Sequence, residues 1–294
     1  MESFAAIARE IAALTGTSCA SAPGPSIAGG SINRCYRWSA GSGPMFVKIG
    51  LRAAQAAFAA EADGLRELHR VQVLRVPRVL ATGATGAAAF LALEWIERAA
   101  PSEDCERRLG EGLAALHSVT AARFGWWRDN TIGRTPQANA WSEDWVEFLR
   151  ERRLRPQLAL AVQHGFARLL SERLERLLAA LPALLAGHSP RASLLHGDLW
   201  GGNWLSSTAG EPVDCDPAVY YGDRETDLAM TRLFGGFSTA FYRAYEAAAP
   251  LPAGAAVREQ LYNLYHVLNH ANLFGGGFAH QARELIDRLL AEVA

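Results

Sequence analysis

The 294-residue sequence predicts an α+β fold in two lobes, a small strand-rich lobe over 1–95 and a larger, mainly helical one over 96–294. Three observations carry that reading. Short β-prone segments gather in the first third, at 33–38, 45–49 and 90–96. From Glu103 onward apolar residues recur at helical spacing. A single stretch rich in Gly, Pro and Asp, 193–218, interrupts those helices with short apolar runs between turns.

The elements follow in order. Phe4, Ile7, Ile11 and Leu14 share one helical face with Arg9 and Glu10 off it, an amphipathic helix without the unbroken apolar centre of an export signal. A turn-rich stretch, 22–30, leads into the first strand, and Gly41-Ser42-Gly43-Pro44 joins it to the second as a hairpin. Residues 53–71 read as a helix, with Phe58, Leu65 and Leu68 at helical spacing and Glu61 among them. In the second lobe helices are predicted around Leu109, Leu113 and Leu116, around Trp145, Phe148 and Leu149, over 158–185, and at three places near the carboxyl end.

Composition narrows the function. Half the residues are apolar, enough for a large core, and the formal net charge of -1 creates no field that favours nucleic acid or an anionic membrane. No apolar run approaches the roughly 20 residues of a membrane-spanning helix. A small ligand is the default partner. Cys19, Cys35, Cys105 and Cys215 form no CxxC pair, which argues against a zinc knuckle or a disulfide framework and for reduced thiols in the cytoplasm. Cys35, just past a glycine turn, is open to oxidation only if it is exposed.

The interrupting stretch contains His196-Gly197-Asp198-Leu199-Trp200-Gly201-Gly202-Asn203, with Asp and Asn five residues apart on a loop. Phosphoryl transfer needs an orienting carboxylate, oxygen ligands for Mg²⁺ and donors that hold the phosphates, and a protein-kinase catalytic loop has this Asp-to-Asn spacing. Asp198 is therefore the candidate base and Asn203 a candidate metal ligand. Asp216 after the next turn is the second candidate ligand, with Asp214 its rival, because alternation along a strand puts both on one face. Lys48 is a lone cation in the apolar strand Phe46-Val47-Lys48-Ile49, so it needs a partner, and Glu61 is the obvious one. Such a pair grips ATP phosphates in kinases. Gly29, Gly30, Ser31 and Asn33 offer backbone N–H groups to the phosphates. His196 is expected to buttress the loop. Asn269 and His270, at the end of a helix rich in Leu and Tyr, are candidates for facing a sugar.

These residues resemble the fructosamine kinases, also called ketosamine-3-kinases, relatives of the aminoglycoside and choline kinases. The likeness runs over nearly the whole chain. It includes Leu91-Ala92-Leu93-Glu94-Trp95-Ile96, Asn130-Thr131-Ile132-Gly133, the HGDLW run from His196 and the run DPAVYYGDRETDLAM from Asp216. The last two are particular to ketosamine kinases, whereas HGD with a following Asn is shared more widely. The resemblance implies a protein-kinase-like bilobal fold with ATP between the lobes and its adenine on the backbone of Glu94, Trp95 and Ile96. It further implies Asp198 as base, Mg²⁺ on Asn203 and Asp216, and Asp227 bracing the catalytic loop. Trp200 either lines the sugar pocket or is a core tryptophan. The implied substrate is a glycated amine, free or protein-bound; an aminoglycoside, a choline-like alcohol, or a silent nucleotide-binding module are the alternatives. Cys215, where the family leads one to expect an aliphatic residue, is the departure.

Overall fold

The computed structural model describes residues 4–27 and 33–293. The first part comprises α1 (Phe4–Thr15), β1 (Ser26–Ile27), β2 (Arg34–Trp38), β3 (Met45–Leu51), α2 (Gln55–Val71), β4 (Val79–Thr85) and β5 (Ala88–Glu94). Its strands form an antiparallel sheet in the order β1-β2-β3-β5-β4. The period of two sorts the side chains between two cores. Trp38, Met45, Val47, Phe90 and Ala92 pack with Ile7 and Ile11 of α1. The alternate residues Ala89, Leu91 and Leu93 pack with Phe58, Leu65 and Leu68 of α2, and that core continues without a break into the helical part. Lys48 is on the α2 side, which is why the helix can supply its partner.

The sequence gives no hint of β4 because Val79–Thr85 is mostly Ala, Thr and Gly. The glycine has a use: a Cβ at Gly83 would stand 3.0 Å from the ring of Phe90. Leu14, expected on the buried face of α1, also lies over Gly83 and is 52% exposed, since a glycine offers little surface to cover it. The strand expected to reach Ile96 ends at Glu94.

The second part runs β6 (Arg98–Ala99), α3 (Glu103–Ser118), β7 (Thr120–Ala121), β8 (Asn130–Ile132), β9 (Thr135–Gln137) and α4 (Trp145–Phe148). A π-helical turn, Leu149–Leu154, then leads into α5 (Arg155–Gln163) and α6 (Ala167–Leu184). After these come β10 (Ala192–Leu195), β11 (Trp204–Ser207), β12 (Pro212–Asp214), β13 (Tyr220–Gly222), α7 (Glu225–Leu233), α8 (Thr239–Ala248), α9 (Ala255–Phe274) and α10 (Gly277–Ala291). Two three-stranded sheets, β13-β10-β7 and β12-β11-β6, frame the loop 196–203, and β8-β9 is a separate hairpin.

Two differences from the sequence expectation have physical causes. The stretch 158–185 is two helices, because Gly165 takes φ +87° and turns the chain. Four helices, not three, close the chain. The first of them, α7, buries Glu225, Thr226 and Asp227 along with Leu228, Ala229 and Met230, so it shows no one-sided apolar stripe. Among the described residues no helix is long and apolar enough to cross a membrane.

Candidate active site

A cavity of about 390 Å³ lies between the five-stranded sheet and the helical part. On its wall stand Asn33, Lys48 and Glu61 from the first part, and Asp198, Trp200, Asn203, Asp216, Asn269 and His270 from the second. Residues predicted from positions far apart in the chain therefore share one cleft. Glu94, Trp95 and Ile96 are not on this wall, and Gly29, Gly30 and Ser31 lie outside the described residues. The Glu94 carboxylate is taken by Arg75 at 3.1 Å and Arg78 at 3.4 Å, so its side chain is engaged in holding the end of β5.

Lys48 Nζ donates to Glu61 Oε1 at 2.8 Å, the pairing read from the sequence, and to Asp216 Oδ1 at 2.6 Å, which was not foreseen. Burial opposes the ammonium, but Asp216 and Glu61 outweigh it and hold Lys48 above the ordinary lysine range. The cation thus spans the cleft.

The loop 196–203 is fastened from behind. Asp227, on the first turn of α7, accepts from the backbone N–H of His196 and of Gly197, each at 2.8 Å, and from His117 Nε2 at 3.2 Å. Burial alone would raise this carboxyl, but His117, His196 and the Gly197 N–H hold it below the usual carboxylate range. Gly197 must be glycine, since it has φ +83° and an added Cβ would lie 2.1 Å from the Ala218 carbonyl oxygen. His196 Nε2 donates to the Cys215 carbonyl at 3.0 Å while its Nδ1 accepts from the Asp198 N–H at 3.2 Å. That pattern requires a neutral ring, and burial does push its pKa down.

Asn203 Nδ2 donates to the Asp198 carbonyl at 2.9 Å and to Asp198 Oδ2 at 3.1 Å, which turns the amide oxygen away from that carboxylate. Burial and the nearby Asp216 charge push the Asp198 carboxyl well above the usual range. Asp216 and Asp214 do not share a face. β12 ends at Asp214, and Asp216 adopts φ +56°, a left-handed conformation that breaks the alternation and turns its side chain, 46% exposed, into the cleft. Asp214 is buried away from the cavity with neither carboxylate oxygen hydrogen-bonded, and burial pushes its pKa up to about 8. Asn203 and Asp216 together present oxygen donors alone, the set a hard cation such as Mg²⁺ prefers.

Trp200 is 39% exposed, lines the cavity and packs edge-on against Phe234, so it belongs to the pocket and not to the core. His270 sits among Phe234, Phe274 and Phe278, its Nδ1 donating to the His266 carbonyl at 2.8 Å. Asn269 is largely committed to structure, with contacts of 3.4 Å to Gln157 and to the Ile132 carbonyl. Cys35 lines the cavity yet is only 6% exposed.

Several wall residues escaped the sequence reading: Thr131, Met230, Phe234, His266 and Phe274. Thr131 and Met230 fall inside runs that carry the resemblance without being read as wall residues, and Phe234, His266 and Phe274 carry no local signal. Asn130, Gln137 and Asn139 do carry one, as three amides within ten residues, and Asn130 itself lines the cavity with the other two behind it. Asn130 Nδ2 donates to the Val219 carbonyl at 2.8 Å and Gln137 Nε2 to Asn130 Oδ1 at 2.8 Å and the Ala218 carbonyl at 3.2 Å, holding the segment that follows Asp216. The fold also gathers His188, Asp223 and Glu225. Their polar atoms are already engaged, Asp223 by His188 at 2.6 Å and Tyr262 at 2.5 Å, Glu225 by Arg258 at 2.8 and 2.9 Å.

This arrangement has relatives. The model of the fructosamine kinase family matches residues 3–292. A probable ketoamine kinase of Synechocystis is 43% identical, covering 97% of this chain and 96% of that protein. A chloroplastic protein-ribulosamine 3-kinase of Oryza sativa subsp. indica is 40% identical over 90% of this chain and 78% of its own. The crystal structure of a putative fructosamine-3-kinase from Haemophilus somnus superposes with a TM-score of 0.88 at 28% identity, covering 97% of this chain and 96% of that one. With its two lobes, its lysine–glutamate pair and its HGD loop around one cleft, this protein-kinase-like chain belongs to the fructosamine kinase family.

Proposed function

We propose that the chain transfers the terminal phosphate of ATP to the 3-hydroxyl of a ketosamine, a fructosamine or ribulosamine adduct of an amine. The observation that carries this reading is the meeting of Asp198, Asn203, Asp216 and Lys48 on one wall of the cleft, beside an acceptor pocket lined by Trp200 and His270. The relatives named ketoamine kinase and ribulosamine 3-kinase support the choice of acceptor.

Asp198 orients the attacking hydroxyl and takes its proton. The hydrogen bond from Asn203 Nδ2 occupies Oδ2, which leaves Oδ1 for the hydroxyl. Its raised pKa suits a group that must bind a proton. Lys48, fixed by Glu61, holds the phosphates, and Asn33 borders them. Asn203 and Asp216 would hold Mg²⁺, which when bound neutralises phosphate charge. The backbone of 94–96 is the proposed seat of adenine. Trp200 and His270 face the sugar. Enolisation of the product's ketone toward the first carbon lets phosphate leave from the third, and hydrolysis of the resulting imine frees the amine. The four cysteines are free thiols, in keeping with a cytoplasmic location.

The test is ADP release from ATP with ribulose-lysine, fructose-lysine, an aminoglycoside and choline in parallel. The reading requires stoichiometric ADP with at least one ketosamine. Turnover of choline or the aminoglycoside with none of either ketosamine overturns it.

A further inference from the structure

The helix that carries Glu61 is anchored on the helical part of the molecule as well as on its own sheet, and we infer that Tyr221 and Arg128 are positioning residues that hold the Lys48–Glu61 pair assembled. The inference rests on the proposed role of that pair in gripping phosphate.

α2 has two working faces. Phe58, Leu65 and Leu68 lie in the core against the sheet. Asp63, Gly64 and Glu67, at helical spacing on another face, meet the second part. There the Tyr221 hydroxyl donates to Glu67 Oε1 at 2.8 Å, and Arg128 pairs with Asp63. Between these two contacts the helix comes so close that a Cβ at Gly64 would stand 3.2 Å from Val219 Cγ2. The anchors come from β13 and from the segment before β8, 93 residues apart in sequence (221 − 128); Tyr221 follows the segment 216–219 by two residues, and Asn130, two residues after Arg128, donates to the Val219 carbonyl. Glu67 and Asp63 are each shared with an arginine of the helix itself, Arg70 at 2.7 Å and Arg66 at 2.8 Å, so both carboxylates are held in place to receive the second-part donors.

The consequence is a phosphate grip with no free swing. Where a kinase regulates itself by moving this helix, its lysine and glutamate part company. Here Glu61 lies two residues before one anchor and six before the other. The helix can leave Lys48 only by breaking a hydrogen bond, an ion pair and a packed contact together. Tyr221 and Arg128 do not line the cavity; they reach it through the helix that carries Glu61, by Glu67 and Asp63.

Steady-state kinetics of the full chain separate this role from a merely structural one. Tyr221→Phe with Arg128→Ala should raise KM for ATP about tenfold, while KM for the ketosamine changes less than twofold. Arg128→Lys, which keeps the charge, should stay within threefold of wild type. Each variant's fold is checked by circular dichroism. An unchanged KM for ATP in the folded double variant overturns the inference and leaves the kinase reading intact. A fall in kcat alone, with both KM values unmoved, also overturns it. A wild-type enzyme that turns over no ketosamine at all condemns the kinase reading; the anchoring is then judged by titration with ADP, which should bind the double variant about tenfold more weakly, equal affinity overturning it.

Discussion

Replacing Asp227 with Asn tests how the catalytic loop is held. The carboxylate accepts three hydrogen bonds, two of them from consecutive backbone N–H groups at 2.8 Å, and the residue is only 1% exposed. Asparagine has one acceptor oxygen, so at least one of those N–H groups would face an NH₂. Losing a charge-assisted hydrogen bond costs about 1.5–3 kcal/mol and stranding a buried donor about 1–3 kcal/mol. Together they predict a loss of about 2.5–6 kcal/mol, large against a total stability of roughly 5–15 kcal/mol. Urea unfolding followed by circular dichroism reads the loss as a lower midpoint. The pH dependence has a definite sign. Because the folded pKa is depressed, the stabilisation is present above the unfolded value of about 3.9 and is lost as pH falls through the lower folded value. The gap between wild type and Asp227→Asn should therefore close below about pH 4. The kcat should drop at least tenfold as Asp198 loses its register. A destabilisation below about 1 kcal/mol, with kcat within twofold, would refute the reasoning.

Other consequences follow from the same geometry. Asp198→Asn should lower kcat by about 10²–10⁴ while ADP affinity, measured by calorimetry, stays within threefold; unimpaired turnover removes Asp198 as the base. Gly197→Ala, with its Cβ driven toward the Ala218 carbonyl in a left-handed conformation, should cost about 2–5 kcal/mol in urea unfolding. Burial pushes the His266 pKa down to about 3, so between that value and the ordinary one near 6.5 the unfolded chain binds a proton that the native state refuses. Stability should then fall on acidification below pH 6.5 by up to about 1.4 kcal/mol per unit more in wild type than in His266→Asn; parallel pH curves for the two would show that the ring is not held neutral.

The contrast between what was legible and what was not follows from range. Lys48, Glu61, Asp198 and Asn203 could be read from the chain because a cation in an apolar strand and an Asp–Asn loop violate the expectations of a core. The α2 face toward the sheet was visible as a helical period, as were most helices of the second part. Strand alternation failed at Asp216, since β12 ends at Asp214 and Asp216 takes a positive φ that spacing along a strand does not anticipate. Asp214 ends a strand whose three residues are all buried. Phe234, His266 and Phe274 reach the cleft only because α7 and α9 converge there, and Asp216 finds Lys48 across a sequence separation of 168 residues. Contacts of that kind are products of the fold as a whole.

Phosphorus-31 NMR of a reaction with ATP, Mg²⁺ and ribulose-lysine observes the central step itself. The account predicts a sugar-phosphate resonance coupled to the proton on the third carbon, growing as ADP grows and absent with Asp198→Asn. ADP accumulating with inorganic phosphate alone, or phosphate appearing at another hydroxyl, would contradict it.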